Sequence, residues 1–472
     1  MRKLENLKPN RVFHYFEDLC NIPHGSGNTK AISDYCVAFA AEHGLECVQD
    51  ALNDVIIRKP ASAGYENHPT TIIQGHLDMV CEKDPDCSID FEKDGLDLVT
   101  DGEWVRAKGT TLGGDDCIAV AMAMAVLEDD TLPHPALEAV FTVDEETGMY
   151  GARALDYSLL KGKILLNADS EEEGIFTVGC AGGARVEGDL PYRPAPAEKG
   201  KAIRILADGM IGGHSGAEIH RGRLNANHVL ADFLATLGDD LRIVSMGGGN
   251  KDNAIPCRAQ AVVLTDADVK GAAAEFVEKN KTPKDPGMKI TVTEEPFEGN
   301  AYTKEDSAKI VNFVRTLPNG VQAMSKNIPG LVETSLNLGR LICDGDGPRA
   351  ILSVRSSVEA EKTALIAKLE KIITDYDGVC ETRGHYPPWE YREVSPLRDL
   401  LVRLYKEDYG KEPVVGAIHA GLECGYFTEQ IPGLDAVSFG PSIHDIHTPR
   451  EALNVASVER TYKFLCHVLA QL

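Results

Sequence analysis

Residues 71–78, Thr71-Ile-Ile-Gln-Gly-His76-Leu-Asp78, decide the fold, because a short apolar run ends there in two side chains that can bind metals or protons. Residues 71–74 predict a buried strand, and the His and the Asp follow its end. In an open parallel sheet, ligands bind beyond the carboxyl ends of the strands. His76 and Asp78 therefore lie where a site is expected, if the neighbouring segments build such a sheet.

The segments around this strand alternate between helix and strand. Helical periodicity predicts helices over 28–43 and 118–127, and apolar runs predict strands over 137–143 and 163–166. This alternation is typical of an α/β domain with a largely parallel sheet. We therefore predict an α/β fold for the first part of the chain.

The middle of the chain has a different pattern, and its end returns to the first one. The middle mixes predicted strands and helices as an inserted α+β domain does: strands 184–192, 259–264 and 350–354, and helices 225–237, 269–281 and 363–376. Residues 191–200 contain Pro and Gly and are predicted to link the two parts. The last segments are predicted as helix 396–409, strand 434–439 and helix 458–472.

Composition excludes several classes of partner. Lys and Arg total 48 and Asp and Glu total 73, a net charge of −25, so the surface repels phosphate backbones. We expect neither nucleic acid nor a membrane as a partner, and we expect a cytoplasmic protein, since residues 1–10 lack the apolar core of a signal peptide. The 12 Cys form no Cys-x-x-Cys pair, which argues against a cysteine-ligated zinc site.

Five segments share one arrangement, in which a strand or a glycine-rich turn is followed by His, Asp or Glu. They are 71–78, 109–116, 141–146, 165–169 and 438–447. A single charged loop of this kind is usually only solvated, but five together predict a metal site. Histidine nitrogens with carboxylates suit Zn²⁺, Co²⁺ or Mn²⁺, whereas Ca²⁺ prefers oxygen ligands only.

In combination, these strings resemble the co-catalytic zinc peptidases, a family that includes carnosine dipeptidases, aminoacylases and bacterial tripeptidases. Within this family, the chain looks more like the bacterial members that cleave aminoacyl-histidine dipeptides. The strings that carry it are Gly75-His-Leu-Asp-Met, 109–117, Asp144-Glu-Glu-Thr-Gly, Asn167-Ala-Asp-Ser-Glu-Glu, Gly212-Gly-His-Ser-Gly, Asn253-Ala-Ile-Pro, His419-Ala-Gly-Leu-Glu-Cys-Gly and His447-Thr-Pro-Arg-Glu451.

The resemblance implies two divalent metal ions per chain, expected to be Zn²⁺ with Co²⁺ or Mn²⁺ as alternatives. His76 and Asp169 would bind one ion, Glu146 and His447 the other, and Asp115 would bridge both. Such a pair can activate a shared water for attack on an amide.

Two of these assignments required a choice between neighbouring residues. Asp116 is the alternative to Asp115, which the family's glycine-rich turn favours. His444 is the alternative to His447, which the family pattern of His followed four residues later by Glu favours. The resemblance also implies a cis peptide bond between Asp115 and Asp116.

The remaining roles are implied in the same way. Asp78 would orient His76, and Glu145 would be the general base that accepts the proton of the attacking water. His214 would help to hold the oxyanion of the intermediate. The residues expected to bind substrate are Asn253, Arg355, Gly421 and Glu423, with Arg355 pairing with a terminal carboxylate.

The resemblance gives an expected architecture and activity. We expect an α/β catalytic domain split between 1–185 and 390–472, an inserted α+β lid domain over 186–389, and a homodimer formed through the lid. The expected reaction is metal-dependent hydrolysis of dipeptides, Xaa-His among them. The alternatives are a deacylase or a tripeptidase on the same scaffold and, less favoured because no proposed ligand or base is missing, a non-catalytic binding homologue.

Overall fold

The computed structural model describes residues 2–472, which divide into two compact units. The first unit extends up to Gly179 and also contains Tyr391–Ala417 and Leu422–Leu472. The second unit contains Cys180–Glu390 and Ile418–Gly421. Each unit has its own hydrophobic core. The functional bounds of a catalytic domain and a lid stay a prediction.

The helices of the two units are numbered in chain order. They are α1 (Asn10–Cys20), α2 (Lys30–Glu42), α3 (Gly114–Glu128), α4 (Tyr150–Ala154), α5 (Ala226–Leu234), α6 (Val269–Asn280), α7 (Lys304–Thr316), α8 (Glu359–Asp375), α9 (Pro396–Tyr409), α10 (Cys424–Gln430) and α11 (Val455–Leu469). Short 3₁₀ helices cover Tyr157–Leu159 and Ile219–Arg221. None of the helices in residues 2–472 is long and apolar enough to cross a membrane.

The strands follow in the same order. They are β1 (Glu46–Gln49), β2 (Val55–Lys59), β3 (Thr71–His76), β4 (Leu98–Thr100), β5 (Trp104–Ala107), β6 (Leu137–Thr142), β7 (Ile164–Asn167), β8 (Ile175–Cys180), β9 (Gly182–Asp189), β10 (Ala195–Asp208), β11 (Gly213–His214), β12 (Arg242–Gly248), β13 (Ala254–Ile255), β14 (Ala259–Leu264), β15 (Lys289–Ala301), β16 (Gly320–Met324), β17 (Val332–Asp344), β18 (Gly347–Ser356), β19 (Val379–Tyr386), β20 (Val414–Ile418), β21 (Asp435–Ser438), β22 (Ile443–His444) and β23 (Ala452–Asn454).

The main sheet of the first unit has the order β1-β2-β6-β3-β7-β21-β8-β20. Its centre is parallel: β3 runs parallel to β6 and β7, and β7 runs parallel to β21. Every residue of β3 and β6 is buried, as is typical of parallel strands covered on both faces. This sheet confirms the α/β class predicted from the sequence.

The parallel centre brings several chain segments to one edge. Strands β3, β6 and β7 end at His76, Thr142 and Asn167, and their carboxyl ends lie at the same edge of the sheet. Helix α3 packs on β3 and is buried from Cys117 to Leu127, as a helix that is apolar on all sides must be. Its many alanines let it approach the sheet closely.

The second unit is built on an antiparallel sheet of order β15-β10-β14-β12-β17-β18-β9-β19, with β16 paired to β17. The predicted linker 191–200 is wrong, because residue 195 already begins β10 inside this unit. Pro196 suggested a linker, but it lies where β10 pairs only with β15, and β14 joins further along at Ile203. Proline is tolerated at such one-sided positions of a sheet.

Candidate metal centre

The first unit collects the five predicted ligands at the carboxyl edge of its main sheet. His76 ends β3, Asp115 lies at the start of α3, and Glu146 follows β6. Asp169 lies two residues beyond β7, and His447 lies in the loop between β22 and β23. Donor atoms of Asp115, Glu146 and His447 form one group, and His76 forms a second with Asp115 and Asp169.

Both groups have the spacing of a metal site. His76 Nε2 lies 3.1 Å from Asp115 Oδ1 and 3.7 Å from Asp169 Oδ1. His447 Nε2 lies 3.3 Å from Asp115 Oδ2 and 2.9 Å from Glu146 Oε1. Neighbouring donors around a tetrahedral ion with bonds of about 2.1 Å are roughly 3.4 Å apart. The donor set therefore fits two divalent cations.

Asp115 has the geometry that a bridging carboxylate needs, because its two oxygens face different histidines. Asp116 is the neighbouring alternative, and one of its oxygens also lies in a donor group with His76 and Asp169. Its carboxylate accepts the backbone N–H of His76 at 3.3 Å. The peptide bond between Asp115 and Asp116 is cis, which confirms that prediction.

The charges at this edge favour a cation. Burial lowers the pKa of His76, but Asp115 and Asp78 outweigh burial and raise it well above its usual value. Hydrogen bonds to Asp115 and Glu146 raise the pKa of His447 to about 10. The negative potential that holds a proton on each imidazole also attracts a metal ion, which would replace that proton.

Asp78 holds two parts of the site in place. His76 Nδ1 lies 3.0 Å from the backbone carbonyl oxygen of Asp78 and 3.4 Å from its carboxylate, so Nε2 faces the other donors. The same carboxylate accepts hydrogen bonds from Ser26 Oγ at 2.7 Å and from the backbone N–H groups of Glu145 and Glu146 at 3.0 and 3.3 Å. The hydrogen bonds that Asp78 accepts from Glu145 and Glu146 were not predicted.

Glu145, the predicted base, lies beside the donors. One of its oxygens groups with donor atoms of His76 and Glu146. Burial raises the pKa of Glu145 to about 8, with nearby carboxylates adding to the shift and His76 opposing it. Asp144 has a φ of 56°, a left-handed conformation that Asp tolerates, and it turns the chain ahead of the two glutamates.

Glu451 is a supporting residue whose role was not predicted, although it formed part of the pattern used to choose His447. Its carboxylate accepts the backbone N–H groups of Leu112 at 2.8 Å and Gly114 at 2.7 Å, and that of Asp115 lies at 3.5 Å. It therefore fixes the glycine-rich turn that presents Asp115. His444 is exposed and packs against Trp104 with ring centroids 4.7 Å apart.

Four of the other predicted site residues belong to the second unit. His214 Nδ1 accepts the backbone N–H groups of Gly216 and Ala217 at 3.2 and 3.0 Å, so the ring proton of the neutral form lies on Nε2 and can be donated. Burial, and then the charge of Arg355, lowers the pKa of His214.

Arg355 donates from Nη1 to the hydroxyl of Tyr386 at 2.9 Å. Asn253 is exposed, and its backbone carbonyl oxygen accepts the backbone N–H of Ser215 at 2.8 Å. Gly421 is half-buried, and Glu423, in the first unit, has no exposed surface. The roles of these residues in substrate binding stay predictions.

The fold and the site define a class: α/β proteins with donors for a pair of divalent cations at the edge of a parallel sheet. The chain belongs to peptidase family M20/M25/M40, whose family model matches residues 72–471. This confirms the family resemblance seen in the sequence motifs.

Two relatives match along nearly their whole length. The cytosol non-specific dipeptidase of Escherichia coli is 35% identical over 482 residues, which cover 100% of this chain and 99% of the relative. The crystal structure of aminoacylhistidine dipeptidase from Vibrio alginolyticus is also 35% identical, with a TM-score of 0.89 and coverage of 99% and 98%. The aminopeptidase PepT of Bacillus cereus, 16% identical with a TM-score of 0.57 and coverage of 98% and 99%, shares the fold.

Proposed function

We propose that the protein is a metal-dependent dipeptidase. The observation that carries this proposal is the carboxylate of Asp115, whose oxygens lie 3.1 and 3.3 Å from His76 and His447 beside the free glutamate Glu145. The family and the names of the two full-length relatives support peptide hydrolysis, and both names contain the word dipeptidase.

Five residues would hold the metal ions: His76 and Asp169 one of them, Glu146 and His447 the other, with Asp115 shared between them. Two divalent cations supply Lewis acidity, which lowers the pKa of water and polarises the scissile carbonyl. Zinc is the proposed metal because imidazole and carboxylate donors suit it, and Co²⁺ and Mn²⁺ share that preference.

Glu145 would move the proton in this reaction. It accepts a proton from the attacking water and delivers it to the amine that leaves when the peptide bond breaks. Burial raises its pKa towards neutrality, so it can both take up and release a proton near pH 7. Asp78 holds this glutamate through its backbone N–H.

Residues of the second unit would bind the substrate. Arg355 pairs with the terminal carboxylate of a dipeptide, and His214 donates from Nε2 to the oxyanion. Asn253 and Gly421 complete the proposed set. We propose Xaa-His dipeptides among the substrates, because one relative is named for them. A deacylase or a tripeptidase remains the alternative.

The assembly and the location are proposed from the family resemblance. We propose a cytoplasmic homodimer formed through residues 186–389, with the catalytic domain divided between 1–185 and 390–472. The name of the Escherichia coli relative, which places that protein in the cytosol, supports the location.

A substrate panel tests the proposed function. Metal-free protein is loaded with Zn²⁺, Co²⁺ or Mn²⁺ and assayed on an Xaa-His dipeptide, β-alanyl-His, a tripeptide and an N-acetyl amino acid. We expect hydrolysis of the dipeptides with metal and none with chelator. Faster cleavage of the tripeptide or the N-acetyl amino acid would favour the alternative, and equal rates with chelator would overturn the metal mechanism.

A further inference from the structure

Glu423 is a buried carboxylate beneath the donor residues. It has no exposed surface and lies directly before α10. Its Oε2 accepts hydrogen bonds from Gln74 Nε2 at 2.6 Å and from Thr142 Oγ1 at 2.5 Å. The carboxylate therefore joins strand β3 to strand β6 through side chains.

The network extends to a third strand. Asn167 Nδ2 donates to Gln74 Oε1 at 2.6 Å, and Gln74 and Asn167 are register partners in the parallel pair β3–β7. Glu423 is thus connected to Gln74, Thr142 and Asn167, which lie at or near the carboxyl ends of three neighbouring strands. All the residues of this network belong to the first unit.

Each strand of the network continues directly into a proposed metal ligand or the base. Gln74 lies two residues before His76, Asn167 lies two residues before Asp169, and Thr142 lies three residues before Glu145. Side chains two residues apart on a strand share a face. The side chain of Gln74 therefore lies in the layer below His76, and the network spans the base of the donor set.

We propose that Glu423 is a positioning residue, whose carboxylate fixes the spacing of the metal donors, rather than the substrate-binding residue predicted from the sequence. This inference rests on the proposed function, because donor spacing matters only if the site binds metal. With no exposed surface, Glu423 does not contact substrate. Supporting residues of this kind typically change metal affinity or activity by about 10- to 100-fold.

The test compares Glu423→Ala and Glu423→Gln with a matched buried carboxylate. Glu138 is 2% exposed and lies at the other end of β6, where it accepts the backbone N–H groups of Lys161 and Gly162 at 2.9 and 3.0 Å. Metal affinity is measured by competition of Zn²⁺ with a coloured chelator, and kcat and KM are measured on a dipeptide that the wild type cleaves.

We expect Glu423→Ala to weaken zinc binding by about 10- to 100-fold and to lower kcat, with KM unchanged. Glu423→Gln should restore part of the affinity, because its amide oxygen still accepts from Gln74 or Thr142. Glu138→Gln should bind zinc as the wild type does. If Glu423→Ala does not fold, Thr142→Val removes one bond of the network with little change of shape and should weaken zinc binding in the same direction.

Other outcomes would contradict the inference in distinct ways. A raised KM with wild-type zinc affinity in the Glu423 variants would show a substrate contact. Lower thermal stability of the metal-free variants with unchanged zinc affinity would show a structural role only. A wild-type protein that binds no zinc, cobalt or manganese would instead overturn the proposed function.

Discussion

Glu145 and Glu146 are neighbours in the chain, but they have different surroundings. Glu146 Oε1 lies 2.9 Å from His447 Nε2, as a ligand of the same ion would. Glu145 lies beside His76 and Glu146, and its pKa is raised by burial. Substituting one glutamate or the other should therefore separate proton transfer from metal binding.

For Glu145→Gln we expect both metals to stay bound and kcat to fall by at least about 10²-fold, because the amide cannot accept the proton. For Glu146→Gln we expect weaker binding of one metal and partial recovery of activity with excess metal. Metal content and kcat are measured together for both variants. Near-normal turnover by Glu145→Gln would refute the base assignment even if both ions bind.

The buried carboxyl of Asp54 should make the stability of the metal-free protein depend on pH. Its Oδ1 accepts the backbone N–H of Val143 at 2.9 Å, and burial, with Asp50 and Glu423 adding, raises its pKa to about 9. In the unfolded chain the carboxyl has its usual value of 3.8. The folded state therefore binds a proton that the unfolded state has lost, and its stability falls as the pH rises from about 4 to about 9.

Asp54→Asn should remove this dependence, because the amide keeps the acceptor and has no charge. In metal-free protein at pH 8, we expect the free energy of unfolding of the variant to exceed that of the wild type by at least about 1 kcal/mol. One pKa unit corresponds to about 1.4 kcal/mol. Urea titrations at pH 5 and pH 8 measure the difference. If the variant and the wild type differ in free energy of unfolding by the same amount at both pH values, Asp54 contributes no pH dependence.

At the scale of elements, the sequence predicted the strands that surround the site well and the start of α3 less well. β3 and β7 were predicted to within two residues at each end because their apolar runs are bounded by polar residues. Helix α3 was predicted from residue 118 but begins at Gly114. Its first residues follow no helical pattern, because Asp115 and Asp116 have non-helical backbone angles that serve the site.

Helix α1 was not predicted, although its signal was present. Val12, Phe13, Phe16 and Leu19 are buried with helical spacing, and the periodicity could have been read from the sequence. The long pair β10–β15 is a different case, since its register is set by pairing between segments far apart in the chain. Such pairing leaves no local pattern in either strand.

The packing of α3 on β3 requires a glycine at position 75. A Cβ there would lie 2.5 Å from Asp116 Oδ2 and 2.9 Å from Ala119 Cβ. We therefore expect Gly75→Ala to destabilise the protein by about 1–3 kcal/mol, as overpacking does. Gly200→Ala is the control, because a Cβ there has nothing within 4 Å. Urea unfolding compares the two variants. Equal midpoints would show that α3 shifts to accommodate the added Cβ with no loss of stability.

For the whole molecule, the site depends on segments that are remote in the sequence. His447 and Glu146 are 301 residues apart and meet at one edge of the first unit. The motifs predicted that these segments meet, because each supplies a suitable donor after a strand or turn. Supporting contacts such as those of Glu451 and Glu423 were beyond prediction, because buried hydrogen-bond partners have no fixed spacing in the chain.

The two units should respond differently to metal. All five proposed ligands belong to the first unit, so metal should raise the stability of that unit in particular. The protein contains 2 Trp, with Trp104 in the first unit and Trp389, 3% exposed, in the second. Replacing one or the other by Phe gives two variants, each with a fluorescent reporter in one unit.

Urea unfolding of these variants is followed by tryptophan fluorescence with and without zinc. At free zinc of about 100 times its dissociation constant, one bound ion stabilises the native state by about 2.7 kcal/mol. We expect the midpoint reported by Trp104 to rise accordingly and the midpoint reported by Trp389 to rise less. Equal shifts would show that the units unfold as one, and no shift at Trp104 would show that the donors in the first unit do not bind zinc.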